Sequence, residues 1–165
     1  RAWVSAPTVP AGVRESVDLR QSLRLMSQTH GPTLQGLEIR LDLVLPDEPL
    51  RVFAVPEDLQ NLLGHIVDVA ACMLQGGTAL QVLARVDGHH AVINWRDTGD
   101  ESPRLARVFD GAGGTMASRA LSCQAIPARY GARIYAAPSP LGDRSITLRF
   151  PIHGQRKTPE SSVRL

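Results

Sequence analysis

The stretch from Pro56 to Met73 constrains the fold most strongly, because its apolar residues recur at steps of three and four. These residues are Leu59, Leu62, Leu63, Ile66, Val67, Ala70 and Met73. This spacing predicts a long amphipathic α-helix with one apolar face. Pro56 and the two acidic residues after it suit the first turn of a helix, and Gly76-Gly77 ends it. The apolar face of this helix must be covered by another layer of the protein.

Short apolar runs on both sides of this helix predict β-strands. Residues 37–46 alternate apolar and charged side chains, which indicates a half-buried strand, and residues 51–56 form a second short strand. Two β-hairpins are predicted, one at 79–97 around Asp87-Gly88 and one at 132–152.

Two further helices complete the predicted order of elements. The first covers residues 17–29, with a cap at Ser16 or Asp18, and His30-Gly31-Pro32 stops it. The other covers residues 115–131, where Pro127 kinks or ends it. The order of a helix followed by two strands, repeated three times, predicts an α+β fold with helices on one face of a mixed or antiparallel sheet.

Composition narrows the classes of function. A chain of 165 residues that is 43% hydrophobic can build one domain with a core. Its arginines are scattered among acidic residues, so we predict no nucleic-acid surface, and no apolar run approaches the ~20 residues of a membrane span. Cys72 and Cys123 lack metal-ligand spacing, which predicts buried thiols in a reducing compartment.

Four segments, taken in chain order, resemble the ATP-binding domain of sensor histidine kinases, a superfamily that includes gyrase, Hsp90 and MutL. They read VDLRQSLRLM from Val17, VFAVPEDLQNLLGHIVDVA from Val52, INWRDTGDESP from Ile93, and YGARIYAAPSPLGDRSITLRFPI from Tyr130. The resemblance implies a Bergerat-type two-layer α/β sandwich, in which three helices back a mixed, mostly antiparallel sheet. It divides the chain into an N-terminal arm or linker (1–16), the kinase-like domain (17–152) and a flexible C-terminal tail (153–165).

The resemblance also implies four nucleotide-contacting residues: Asp97, Gly99, His65 and Thr147. Asp97 matches the carboxylate that accepts a hydrogen bond from the adenine amino group, and Gly99 matches a glycine that lets the backbone pass close to the base. Each polar residue has an ordinary structural alternative. Asp97 can cap the turn after its strand, His65 can be an exposed helix histidine, and Thr147 can be a strand-face threonine.

At the phosphate end the sequence departs from the family pattern. In an alignment without a gap, Val69 stands where an asparagine holds magnesium, and an isopropyl group offers no oxygen ligand. A register shifted by four puts His65 at that position instead, and imidazole is also a poor magnesium ligand. Glu101 replaces the second loop glycine, and residues 111–121 leave little room for the lid and its phosphate-binding glycines. We therefore predict weak binding of ATP or ADP, no magnesium and no catalytic residue.

These features predict a degenerate ATP-binding domain of a sensor histidine kinase in two-component signalling. The alternatives are a divergent but active kinase domain and an anti-sigma-type protein-binding module. The expected partners are a response regulator and a helical dimerisation and phosphoacceptor domain upstream in the same chain. The expected location is the cytoplasm, as an independent protein or as the cytosolic part of a membrane-anchored sensor, with no direct membrane contact from this segment.

Overall fold

The computed structural model describes residues 12–98, 105–106, 123–138 and 144–153. The elements in chain order are β1 (Glu15–Asp18), α1 (Leu19–Gly36), β2 (Arg40–Val44), β3 (Arg51–Ala54), α2 (Pro56–Met73), β4 (Ala79–Asp87), β5 (His90–Thr98), β6 (Arg133–Pro138) and β7 (Arg144–Pro151). A third helical segment is described at residues 123–128, between β5 and β6.

Five strands form the main sheet in the order β2-β4-β5-β7-β6, and β1 pairs with β3 in a separate two-stranded sheet. The strand β2 runs parallel to β4, and the other neighbours in the main sheet are antiparallel. Both predicted hairpins are present, as β4–β5 and β6–β7. The predicted α+β sandwich, with a mostly antiparallel sheet backed by three helices, is therefore confirmed.

The helix α2 begins and ends close to where its pattern predicts. Pro56 occupies the first turn with Glu57 and Asp58, where acidic side chains interact favourably with the positive end of the helix dipole. The chain then turns at Gly77, whose φ of 91° suits a residue without a Cβ. The apolar stripe lies in the core of the sandwich, so burial of that face holds the helix in place.

The start of α1 differs from the predicted helix at 17–29 by two residues, because Val17 and Asp18 belong to β1 and pair with β3. Asp18 was one of the two predicted caps, and its carboxylate accepts the backbone N–H of Arg20 at 3.0 Å. The same carboxylate accepts the N–H of Leu50 at 3.1 Å. One side chain thus starts the helix and fastens it to the segment before β3.

The end of α1 contradicts the prediction that His30-Gly31-Pro32 stops it, since the helix continues to Gly36 with Pro32 inside. A proline in a helix costs about 3 kcal/mol through its missing N–H and its ring. Leu34, two residues further on, is fully buried, which contributes about 1.5–3 kcal/mol. The N–H of Leu37 then bonds to the carbonyls of Thr33 and Leu34 and closes the last turn. Tertiary packing therefore offsets the local penalty.

One core lies between the main sheet and the helices. It contains the buried residues of α1 and α2, the inward residues of the strands β3 to β7, and Cys123 of the third helical segment. Leu41 and Leu43 of β2 are partly buried and pack at its margin. Trp95 on β5 is the largest fully buried side chain. This core fixes which face of each strand meets the helices, and so determines which polar side chains can share a site.

Candidate functional site

Asp97 lies near the end of β5, on the helix side of the sheet. Side chains alternate along a strand, so Asp97 points to the same side as Trp95 and Ile93, which are both in the core. Its side chain is only 2% exposed. The backbone N–H of Leu105 donates to Asp97 Oδ1 at 3.1 Å. The carboxylate therefore fastens Leu105 to the end of β5, which is a structural role for this residue.

A carboxylate offers about four acceptor positions, and the bond from Leu105 uses one of them. The buried setting strengthens any further hydrogen bond made to Asp97, because little water competes there. An amino group such as that of adenine has suitable chemistry for this acceptor. The capping role and a nucleotide contact are thus compatible at this residue.

The helix α2 presents an apolar side chain, Val69, where the sequence comparison places the magnesium-holding asparagine. Val69 is fully buried and belongs to the same core as Leu105 and Cys123. Burial in this core explains why an apolar side chain is stable there. No oxygen ligand for a hard cation is available from it.

Beside Val69, the outward face of α2 carries His65, Asp68 and Cys72, all of which are exposed. These residues follow one another at three and four positions, so they share one stripe of the helix. The prediction that both cysteines are buried is therefore wrong for Cys72, since its position on α2 faces outward. His65 lies on the outer stripe of α2 rather than in the core.

Cys123, in contrast, is fully buried, and neither cysteine forms a disulfide. Burial and, to a lesser extent, the negative charge of Asp68 raise the pKa of the Cys123 thiol to about 12. A thiol with such a pKa is protonated at neutral pH and is a poor nucleophile.

Thr147 lies on the opposite face of the sheet from Asp97. It pairs in register with Asn94, and both residues alternate with core side chains on their strands. The Asn94 side chain donates from Nδ2 to Thr147 Oγ1 at 3.0 Å, within a buried pair. The structure therefore does not bring Thr147 and Asp97 together, and it favours the strand-face alternative for Thr147.

The predicted site is thus divided. Asp97 and Val69 lie on the side of the sheet that faces the helices. His65 lies on the outward face of α2, and Thr147 lies on the face of the sheet away from the helices. Gly99 and Glu101 fall outside the described residues, so their roles stay predictions. The lid segment at 111–121 also falls outside them.

Sequence reasoning missed Asn94, which is 1% exposed in the middle of β5. Its Oδ1 atom and the Oγ of Ser145 on the same face have no hydrogen-bond partner among the described residues. A polar residue inside the run AVINW was the available signal, since such a residue needs a partner when buried. The register with β7 supplies that partner, and only the folded structure provides it.

Among the described residues, no group of three or more His, Cys, Asp or Glu side chains could hold a metal ion. No helix in the described part of the chain has both the length and the apolar character needed to cross a membrane.

The sequence matches no protein-family model and no curated protein. The fold, however, is similar to solved histidine kinase structures. The catalytic domain of histidine kinase ThkA is 15% identical with a TM-score of 0.69, and the alignment covers 84% of this chain and 97% of that domain. Histidine kinase AdeS of Acinetobacter baumannii is 16% identical with a TM-score of 0.65, covering 88% of this chain and 71% of AdeS.

The ATP-binding domain of PrrB from Mycobacterium tuberculosis is 18% identical with a TM-score of 0.62, covering 84% of this chain and 97% of that domain. A further similar structure is ThkA in complex with the response regulator TrrA, at 15% identity and a TM-score of 0.66 over 87% of this chain. At identities this low, the structural similarity shows the fold alone, and the chemistry of the site has to be argued from the residues of this chain. The chain has the fold of histidine kinase catalytic domains.

Proposed function

We propose that this chain is a degenerate ATP-binding domain of a sensor histidine kinase, acting in two-component signalling with weak or no binding of ATP or ADP. One observation carries the proposal. On the helix side of the sheet, a buried carboxylate is retained at Asp97 while the metal position of α2 holds the buried, apolar Val69. The site has kept the chemistry of its adenine end and lost that of its phosphate end.

The adenine end supports residual recognition of a base. Asp97 is held at the end of β5 by the strand itself and by the N–H of Leu105, so its position is fixed before any ligand arrives. A pre-positioned acceptor in a buried setting favours binding, because little ordering cost remains. Binding through this residue alone would be weak, since one hydrogen bond contributes only about 0.5–1.5 kcal/mol.

The metal end opposes phosphoryl transfer. Phosphoryl transfer depends on magnesium to bridge the phosphates and neutralise their charge. Magnesium prefers oxygen ligands in near-octahedral geometry, and Val69 provides none. The residues of α2 therefore do not fit a magnesium ion at the position of Val69. We assign no catalytic step to a metal ion in this chain.

Calorimetric titration of the chain with ATP and with ADP, each with and without magnesium, tests the proposal. We expect dissociation constants near or above the millimolar range and no increase in affinity with magnesium. Any residual ADP binding should be lost in Asp97→Asn and kept in Asp87→Asn, a control at the exposed end of the β4–β5 hairpin. Tight, magnesium-dependent binding of ATP contradicts the proposal.

The proposal that this chain is a histidine kinase domain also predicts its partners. The complex of ThkA with a response regulator supports a response regulator as a partner of this chain. We also propose a helical dimerisation and phosphoacceptor domain upstream in the same protein. The similarity to a structure of the cytoplasmic segment of histidine kinase QseC supports a cytoplasmic location.

A divergent but active kinase domain is the second candidate, and the retained, buried Asp97 favours it. The test is autophosphorylation of the full-length protein with labelled ATP. Labelling that is lost in Asp97→Asn supports activity through this pocket. Absence of labelling in the unmodified protein, together with the calorimetric result above, supports the degenerate domain.

A further inference from the structure

The strand β2 forms one edge of the main sheet, and its outer side has no strand partner among the described residues. The N–H of Arg40 donates to the carbonyl of Thr78 at 3.1 Å, just before β4. Backbone groups alternate in direction along a strand, so those of Arg40 and Asp42 point toward β4. The N–H and C=O groups of Leu41 and Leu43 consequently point outward, where another strand can bind them.

A groove of about 530 Å³ lies beside this edge, between α1 and β2. Its walls include Gln28, Pro32 and Gln35 from α1, and Ile39 and Leu41 from the β2 side. A strand added to the edge of β2 would direct alternate side chains into this groove, next to α1. Pockets of this kind provide specificity when an extended segment joins a sheet.

The other face of the edge carries two opposite charges. Arg40 and Asp42 are 72% and 36% exposed, and their side chains lie 3.0 Å apart on the same strand. Charged residues on an edge strand often prevent pairing. In the sequence Arg40-Leu41-Asp42, however, the charges have opposite signs and flank a central leucine.

This order is self-complementary. When two copies of β2 run antiparallel with Leu41 opposite Leu41, Arg40 of each copy faces Asp42 of the other. The N–H of each Leu41 then donates to the carbonyl of the other Leu41, which makes them a hydrogen-bonded pair of an antiparallel ladder. Leu43 and Ile39 face each other on the groove side, where the N–H of Ile39 already donates to the carbonyl of Leu34 at 2.9 Å, so the N–H of Leu43 provides the backbone bond of this pair. Backbone direction, side-chain face and charge thus all agree in one register.

We propose that the edge of β2 binds a second copy of this chain, through antiparallel pairing of β2 centred on Leu41. The cross-strand Arg40–Asp42 pairs select this register, because a shift by two residues places like charges opposite each other. The main sheets of the two copies then join into one continuous sheet. The inference does not depend on nucleotide binding, so it stands or falls separately from the proposed function.

Sedimentation velocity over a concentration series, with charge-reversal variants, tests the pairing. The unmodified chain should dimerise reversibly. R40D and D42R should each weaken the dimer by at least about tenfold, since each places like charges across both pairs. The double variant R40D/D42R should dimerise like the unmodified chain, because its charges are again opposite. An equimolar mixture of R40D and D42R should form a heterodimer, although each alone stays monomeric.

Thermal unfolding of each variant shows whether its fold is intact. If a charge variant unfolds, Leu41→Pro provides a second test, since it removes an outward N–H that β4 does not use. An unmodified chain that stays monomeric up to about millimolar concentration overturns the proposal. A dimer with the same dissociation constant in all variants also overturns it, because its interface then lies elsewhere.

Discussion

The two faces of β5 differ in both burial and chemistry, since the helix-side residues from Ala91 to Asp97 are all buried, whereas Arg96 and Thr98 on the other face are partly exposed. On the helix side, Ile93 and Trp95 are fully buried among apolar residues, and the charge of Asp97 appears only at the end of the strand. On the face of the sheet away from the helices, Asn94 is as buried as Trp95, but its side chain donates a hydrogen bond to Thr147 on β7. Burial of a polar residue therefore does not mark a ligand site here. The face on which the residue lies decides whether it can meet a ligand bound beside α2.

The helix face should respond most strongly to truncation. Trp95→Ala removes the largest fully buried side chain, and such a change costs about 3–5 kcal/mol in the free energy of unfolding. Chemical denaturation followed by circular dichroism measures this loss. Val44→Ala on the exposed edge strand is the control and should change stability by less than about 0.5 kcal/mol. A similar loss of unfolding free energy for both variants would contradict the claim that the stability of the fold depends on the core and not on the edge strand.

The capping role of Asp97 predicts a smaller but clear effect. Asp97→Ala leaves the N–H of Leu105 unpaired in a buried setting, which costs about 1–3 kcal/mol of unfolding free energy. Asp97→Asn keeps an acceptor oxygen and should lose less. Denaturation midpoints of both variants measure the difference. Equal stability of Asp97→Ala and the unmodified chain would contradict the capping role.

On the open face, Thr147→Val should cost about 1–2 kcal/mol of unfolding free energy, because it removes the acceptor of the Asn94 side chain while keeping the shape. The double variant Asn94→Leu with Thr147→Val should cost less than the two single changes added together. Nucleotide affinity, measured by calorimetry, should not change in Thr147→Val. A change in affinity that accompanies unchanged stability would return Thr147 to the candidate site.

The reactivity of the two cysteines gives a further comparison between an exposed position, Cys72, and a buried one, Cys123. At pH 8 the raised pKa of about 12 keeps the Cys123 thiol protonated in the folded protein, whereas unfolding returns it toward about 8.5. A thiol reagent should therefore label Cys72 first, and Cys123 only after denaturant is added. Labelling of the Cys72→Ser variant isolates Cys123. Rapid reaction of that variant in the folded state would show that the helix layer opens readily.

Where periodicity is strong, the sequence predicts the structure well. The apolar stripe of α2 and the two hairpins appear in the fold as predicted, because steps of three and four or of two leave few other arrangements. The position of Asp97 at the end of β5 was also predictable from the run that precedes it. Its bond to Leu105 was not, because no local pattern defines which N–H later in the chain meets this carboxylate.

The sequence by itself determined the order of elements, the apolar stripe of α2 and the absence of a side-chain oxygen at Val69, since these depend on side-chain type and spacing. Only the tertiary structure decided that α1 passes through Pro32, because tertiary packing, including the burial of Leu34, offsets a local penalty. It also decided that Thr147 lies behind the sheet, away from Asp97. Strand register sets the face of every side chain, and register depends on partners that are distant in the sequence.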